Sequence, residues 1–327
     1  DPTASYAAWR GFMIILCILT FCGIVLEYFF TRERITEENM KLNIQQEKVS
    51  IGRQMRAVVT DPYWWLIILY FLLFQFGGLV KNGSMTYYCR WMFGASDEAA
   101  AGSYQAALGM IGGIPTTIGM FVAWPIAKKF GKRRAVSAGM FIAVLGGLVS
   151  FINVHSFFFV CAGVVLKGIG SIPAMYVTLA PLSDVQDHLE AKNGFRCDGF
   201  TMSVYGAIMV GMTGLGSAVI NGLLSAGGYN ASLSVQSAGT QDALVICYLA
   251  IELICYAIIA VMLLFLNVEK HVEEDHRIIL ENQKARVLAS GGEWIEPSER
   301  LRMEQEAADL AAEEARREEL REKCRKK

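Results

Sequence analysis

The stretch Ala135–Leu166 reads AVSAGMFIAVLGGLVSFINVHSFFFVCAGVVL and holds no Asp, Glu, Lys or Arg. A second stretch of the same kind, Gly199–Gln241, reads GFTMSVYGAIMVGMTGLGSAVINGLLSAGGYNASLSVQSAGTQ. A soluble domain needs charge spread over its surface and rarely leaves gaps of this length. A helix that crosses about 30 Å of hydrocarbon at 1.5 Å per residue needs about 20 mostly apolar residues. Both stretches exceed one crossing and are broken by small polar clusters, so each reads as a helix pair or a helix plus a loop.

Working outward, the same pattern fills most of the chain. Of 327 residues, 54% are hydrophobic and 19% charged, which sets aside a soluble enzyme. Seven spans emerge: Trp9–Phe30, Tyr63–Val80, Ser103–Ile126, Ala135–Ile152, Phe157–Leu179, Phe200–Leu224 and Ala243–Leu266. The expected fold is all-α, a polytopic transmembrane bundle. Glycines stud the third, fifth and sixth spans (Gly109, Gly112, Gly113 and Gly119; Gly163, Gly168 and Gly170; Gly206, Gly211, Gly214 and Gly216). Small residues let helix backbones approach closely where no water drives association.

Basic residues orient the bundle. Thr31–Thr60 carries Arg32, Arg34, Lys41, Lys48, Arg53 and Arg56. The connection after the third span carries Lys128, Lys129, Lys132, Arg133 and Arg134, and the one after the fifth carries Lys192 and Arg196. The alternate connections are poor, with Lys81 and Arg90 in one and no Lys or Arg in Asn153–Ser156 or Ala226–Gln241. The basic connections therefore share one face, expected to be cytoplasmic. The N-terminus is then outside and the C-terminus inside, in a cell membrane crossed many times. The chain opens on Asp1 and enters an apolar span within about ten residues, which reads as a piece of a longer protein.

The eight cysteines have no CxxC spacing and most lie in apolar segments, as small buried side chains do. No catalytic triad, zinc spacing or phosphate loop is present, and Gly168-Ile-Gly170 has no preceding strand to make it a dinucleotide site. The tail from Glu269 is charged. It is broken by Gly291, Gly292 and Pro297, and from Ser298 it reads as a soluble helix rich in Ala, Glu and Arg. No metal site, cofactor or nucleic-acid partner is expected.

Polar groups inside spans carry the functional information, since they are costly in lipid and by default face a cavity or a partner. Lys167 stands mid-way along the fifth span. It either snorkels to an interface or faces a cavity. Glu252 is a second charge within a span, and a Lys167–Glu252 pair is open. Gln75 and Asn82, seven residues apart, share a helical face; they either bind a hydroxylated ligand or bond to neighbouring helices. Tyr87, Tyr88, Trp91, Trp64 and Trp65 sit at span ends as interfacial anchors. After the fifth span comes the densest charge cluster, Asp184-Val-Gln-Asp187-His-Leu-Glu190-Ala-Lys192-Asn-Gly194-Phe-Arg196-Cys-Asp198-Gly199. It is either a solvated loop or a set of ion pairs that holds a gate shut.

That cluster, spaced as Asp-x-x-Asp-x-x-Glu-x-x-x-Gly-x-Arg-x-Asp-Gly between two spans, resembles the glycoside–pentoside–hexuronide:cation symporters. These are the melibiose-permease-like branch of the major facilitator superfamily. The likeness continues through Ser203, Gly228-Tyr229, Gln236-Ser237, Asp61-Pro62-Tyr-Trp-Trp, Tyr87-Tyr88 and Lys129-Phe-Gly131-Lys-Arg-Arg134, and covers about Trp9–Lys270. Lys128 stands where the fuller basic motif has an acid.

The resemblance implies a division of the chain. Residues 1–30 would be the last helix of an absent N-terminal half, 31–60 the central cytoplasmic linker, 61–267 a six-helix C-terminal bundle and 268–327 a cytoplasmic tail. It implies cation-coupled symport (Na+ or H+) of a sugar or glycoside by alternating access. The lipid bilayer and the N-terminal half would be partners, and the cation carboxylates would lie in that absent half. Candidate substrate residues are Gln75, Asn82, Lys167, Tyr176 and Tyr205, and candidate gate residues are Asp184, Asp187 and Arg196. Relatives carry a lysine in the eleventh helix near the sugar. The aligned position is Val210, which leaves Lys167 as the candidate positive charge. A seven-helix receptor or a non-transporting membrane subunit are the alternatives.

Overall fold

The computed structural model describes residues 2–31, 49–94, 97–177, 179–233, 235–289, 291, 294–296, 299, 302–303 and 305. The chain divides into two compact units, Gln46–Arg286 and a smaller one made of Asp1–Gln45 with Val287–Lys327. The described residues form helices and turns without strands, and seven helices are long and apolar enough to cross a membrane. The all-α, multi-span expectation holds. The segment 32–48 and most of the tail beyond Ser298 lie outside the described residues, as does Cys324.

In the smaller unit, α1 (Pro2–Phe30) exposes Trp9, Ile15, Leu19, Phe21 and Phe30 along its length. Cys17 and Cys22 are exposed on it, unlike the buried Cys89, Cys197, Cys247 and Cys255. The length and apolar composition of α1 are those of a membrane-crossing helix.

The larger unit runs α2 (Ile51–Val59), α3 (Pro62–Met92), α4 (Glu98–Phe130), α5 (Lys132–Ile152), α6 (Phe157–Tyr176), α7 (Leu179–Asn193) and α8 (Asp198–Ala226). The last crossing is α9 (Ala238–Val245), a π-helical segment Ile246–Ala250, and α10 (Ile251–Met262), and α11 (Val272–Ala289) follows. Asp61 starts α3: its Oδ1 accepts from the Tyr63 and Trp64 amides at 2.9 and 3.3 Å, with Pro62 at the first helical position, a site where the missing N–H costs nothing.

Polar ties show that the connections alternate between two ends. At one end Lys132 meets Asp184, Lys192 meets Asp61, Arg133 reaches Asn267, and Arg53 lies over the Phe195 ring. At the other, the Tyr88 hydroxyl donates to the Val154 carbonyl, and Tyr87 packs edge-on against Tyr229. The basic connections of this unit therefore gather at one end, as the charge pattern requires.

α5 and α6 pack most closely. A Cβ on Gly170 would lie 2.4 Å from the Ala143 amide nitrogen and 2.5 Å from the Gly139 carbonyl oxygen. One on Gly163 would lie 2.5 Å from the Gly146 carbonyl oxygen. The glycine reading is thus right for α6, and for Gly112 and Gly119 on α4, which face Val164 and Ile172. It does not extend to Gly109, Gly113, Gly206, Gly211 and Gly214, which have open space where a side chain would stand.

Two sequence expectations change. The second span does not stop at Val80, because α3 continues to Met92 with Lys81 inside it. A charge closes a span only when it must reach water, and Lys81 finds a carboxylate instead. The charge cluster after the fifth span is also mostly helix. Asp184–Asn193 belongs to α7, and only Gly194–Cys197 forms the turn into α8. Its Leu182, Val185 and Leu189 are buried, so α7 folds as an amphipathic helix against the bundle.

Candidate functional site

α3, α6 and α10 each bring one charge to the same point near mid-helix. Lys167 Nζ lies 2.6 Å from Glu252 Oε2, with 3% and 1% of these residues exposed. Lys167 therefore does not snorkel; its ammonium ends on a carboxylate inside the protein. The Tyr256 hydroxyl, one turn along α10, donates to Glu252 Oε1 at 3.0 Å. Lys81 Nζ stands 3.5 Å from that same oxygen and keeps 22% of its side chain exposed. Lys167 Nζ also lies 5.8 Å from the centre of the Tyr248 ring, within cation–π range.

Local sequence makes this meeting possible. Gly77, one turn before Lys81, lets α10 come within 3.4 Å of where its Cβ would be, at the Glu252 Cα. The segment Ile246–Ala250 departs from α-helix just before Glu252, and such segments occur often at functional positions. On α6, Gly163, Gly168 and Gly170 surround Lys167 in sequence and seat that helix against α4 and α5.

The cluster borders a cavity of about 190 Å3, whose wall includes Lys81, Asn82, Thr116, Lys167, Ser171 and Glu252. Of the candidate substrate residues, Asn82 and Lys167 both lie on this wall. Gln75, Tyr176 and Tyr205 are not part of this wall. Tyr176 donates to the Thr116 carbonyl at 2.9 Å, and Tyr205 packs edge-on against Phe71 at 4.7 Å. Val210 is 77% exposed on α8. Lys81, Tyr248, Tyr256 and Ser171 were missed by sequence reasoning. Their signal is spacing: Gly77/Lys81 and Glu252/Tyr256 are each one turn apart on a single face.

Over residues 2–270 the chain matches the family model described as MFS/sugar transport protein. The chain belongs to this family. The family is one of transport proteins, not of enzymes. Similar curated proteins include the isoprimeverose transporter of Lactiplantibacillus pentosus, 24% identical over 82% of this chain and 54% of that protein. The lactose permease of Leuconostoc lactis is 25% identical over 90% of this chain and 44% of that protein. The inner membrane symporter YicJ of Escherichia coli (strain K12) is 21% identical over 78% and 53%. The chain spans about half the length of the curated relatives it matches.

A second cluster in this MFS chain lies at the basic end. Asp184, buried on α7, takes Lys132 Nζ on both oxygens at 2.8 and 2.9 Å. Lys192 donates to Asp61 Oδ2 at 2.9 Å, the other oxygen of the residue that caps α3. α11 is tied in as well: His188 Nδ1 stands 2.9 Å from Asp275, His276 Nε2 stands 3.1 Å from Asp187, and Arg286 donates to the Gly194 carbonyl. Arg196 pairs with Asp198 at 2.7 Å and faces Glu190 at 3.5 Å. Partial burial works against the Arg196 charge, but Asp198 and Glu190 outweigh it and hold its pKa above the ordinary value. The candidate gate residues Asp184, Asp187 and Arg196 thus have three different partners. They join α7 to α5, to α11 and to the start of α8.

Proposed function

We propose that this chain supplies one half of a cation-coupled carrier for a sugar or glycoside. α3 to α10 would form the C-terminal six-helix bundle, α1 the last helix of a preceding half, and residues 31–60 the linker between halves. The match across residues 2–270 to the MFS/sugar transport protein family carries this reading. The cavity beside Lys81, Lys167 and Glu252 supports it, because charges are kept at mid-helix only at considerable cost. The names of these three relatives, two for sugars and one for symport, support a sugar cargo and a coupled cation, Na+ or H+.

In this mechanism two halves rock about the site, and ligand and cation shift the population between outward- and inward-open states. Asn82 and Lys167 would bind cargo. The polar walls that Gln75, Tyr176 and Tyr205 were expected to add would belong to another state or the other half. The basic end would face the cytoplasm, where basic connections are retained. The pairs Lys132–Asp184, Asp187–His276 and Arg196–Asp198 would hold that end closed.

The test is uptake of labelled glycosides into vesicles holding the native polypeptide, under Na+ and proton gradients in turn. Accumulation of a sugar under one gradient is the expected result. Neither accumulation nor counterflow of any sugar under either gradient would overturn the proposal.

A further inference from the structure

A second cavity, of about 230 Å3, opens at the basic end, between the turn from α4 into α5 and the end of the last crossing. Its wall holds three cations, Arg133, Arg134 and Lys270, together with Phe130, Gly131 and Asn267. Among the described residues no acid lines it. Arg133 braces the wall: its Nη1 donates to Asn267 Oδ1 at 2.6 Å and to the Leu264 carbonyl at 3.1 Å. Arg134 and Lys270 are exposed, and neither has an ion-pair partner among the described residues. Phe130 is exposed beside them, with Lys129 Nζ 5.4 Å from its ring centre.

Apolar stripes lead away from this cavity. On α5 the stripe is Phe141, Leu145, Leu148 and Ile152, all exposed, and Arg134 stands two turns before Phe141 on the same face. On the last crossing it is Ile254, Ile258 and Val261, continued by Phe265. At about 100° per residue the first three stand about 180–240° round α10 from Glu252. The α5 stripe lies on the opposite side of its helix from Gly139 and Gly146, where α5 meets α6. Both stripes therefore face away from the cavity that Glu252 and Lys167 border, and away from a second half that closes over it.

We propose that this second cavity seats the phosphate headgroup of an anionic phospholipid, whose acyl chains lie along the stripes of α5 and α10. The proposal goes beyond the carrier reading and needs only the membrane crossings. Cations at one end with apolar stripes running from them match a molecule that is charged at one end and apolar along the rest. A soluble anion would use the cations and leave the stripes idle, and a neutral lipid would do the reverse. Basic pockets between crossing helices hold acidic headgroups in this way. The Arg134 guanidinium suits two phosphate oxygens side by side, and the Lys270 ammonium adds a mobile point charge. A choline headgroup would bring its own cation against both, so the site discriminates by net charge. Arg133, already held by Asn267 and the Leu264 carbonyl, keeps the wall in place while the lipid comes and goes.

The test offers phosphatidylglycerol and phosphatidylcholine of matched chains to the purified protein in detergent and counts retained lipid by native mass spectrometry. Phosphatidylglycerol should be preferred about tenfold or more, since each Lys or Arg near an acidic headgroup is worth roughly fivefold. Arg134→Gln/Lys270→Gln should remove most of that preference and leave the melting temperature without added lipid unchanged. Lys128→Gln/Lys129→Gln, which removes two charges from the same connection but none from the cavity wall, should keep it within about twofold of the unaltered protein. Equal retention of the two lipids by the unaltered protein would overturn the proposal. An equal loss in both double variants would overturn it too, because the preference would then be diffuse surface charge. Inorganic phosphate in large excess should not displace phosphatidylglycerol; displacement would mean a site for a soluble anion and would also overturn it. If Arg134→Gln/Lys270→Gln does not fold, Lys270→Gln alone decides, through a loss of roughly fivefold or none. Sugar uptake plays no part in any of these readings, so the carrier and the lipid site can fail separately.

Discussion

Removing Glu252 should damage the protein more than removing Lys167, although the two form one ion pair. At an effective dielectric of about 20, the 2.6 Å attraction to Lys167 is about 6 kcal/mol and the 3.5 Å attraction to Lys81 about 5 kcal/mol before desolvation is counted. Glu252→Gln loses both and leaves two ammonium groups facing each other without a counter-charge. Breaking a buried pair from one side typically costs about 3–5 kcal/mol net, and Glu252→Gln should fall at the top of that range. Lys167→Met loses only the first attraction, and Glu252 keeps Lys81 and the Tyr256 hydroxyl, so its cost should be about 1–3 kcal/mol. The double variant Lys167→Met/Glu252→Met leaves only Lys81, which already reaches outward, and should recover to within about 1–2 kcal/mol of the unaltered protein. Reversible unfolding in mixed detergent micelles, followed by circular dichroism, measures all three. If Lys167→Met proves as damaging as Glu252→Gln, the three-charge account is wrong and the pair is isolated.

Three further expectations test other parts of the bundle. Gly170→Leu should cost about 2–4 kcal/mol in the same unfolding experiment, because any Cβ there meets the α5 backbone, whereas Gly206→Ala, in open space, should stay within about 0.5 kcal/mol. Lys132→Asp and Asp184→Lys should each loosen the basic end, raising the rate at which a thiol reagent labels Cys197. The combined swap should restore slow labelling, and failure to restore it would separate this pair from closure. Asp61→Ala should cost about 1–2 kcal/mol through the lost helix cap, and Asp61→Asn, which keeps the cap and loses the Lys192 charge partner, should cost less; equal losses would mean that the ion pair matters more than the cap.

Much of this was legible in the residues because lipid imposes a severe code. Charge-free runs gave the crossings, and alternating basic connections gave their grouping at two ends. Lys167 and Glu252 were visible as misplaced charges for the same reason. Lys81 was harder. A charge near the end of an apolar run looks like a boundary, and only the approach of α10 at Gly77 turns it into a member of the cluster. α7 was hidden because its polar residues dominate its composition, while Leu182, Val185 and Leu189 occupy the face it buries. Tyr176 and Tyr205 were assigned to the cavity by resemblance, and packing has given them other partners, the Thr116 carbonyl and the Phe71 ring. α11 was seen only as charge. Its docking depends on His188 and Asp187 of α7, which no local pattern links to His276 and Asp275.

The π-helical segment Ile246–Ala250 bears on all of this through phase. An α-helix advances about 100° per residue, and a π turn accommodates one residue beyond that count. Everything after Ala250 is therefore rotated relative to where an uninterrupted helix would have put it. Glu252 reaches the lysines because of that offset, while Leu244 before the segment keeps its own buried place. Shortening the segment by one residue would change no functional side chain, yet would swing the carboxylate by about 100° away from both ammonium groups. The helix is keyed by a count, and the electrostatics of the cavity depend on that count as much as on which residues are present.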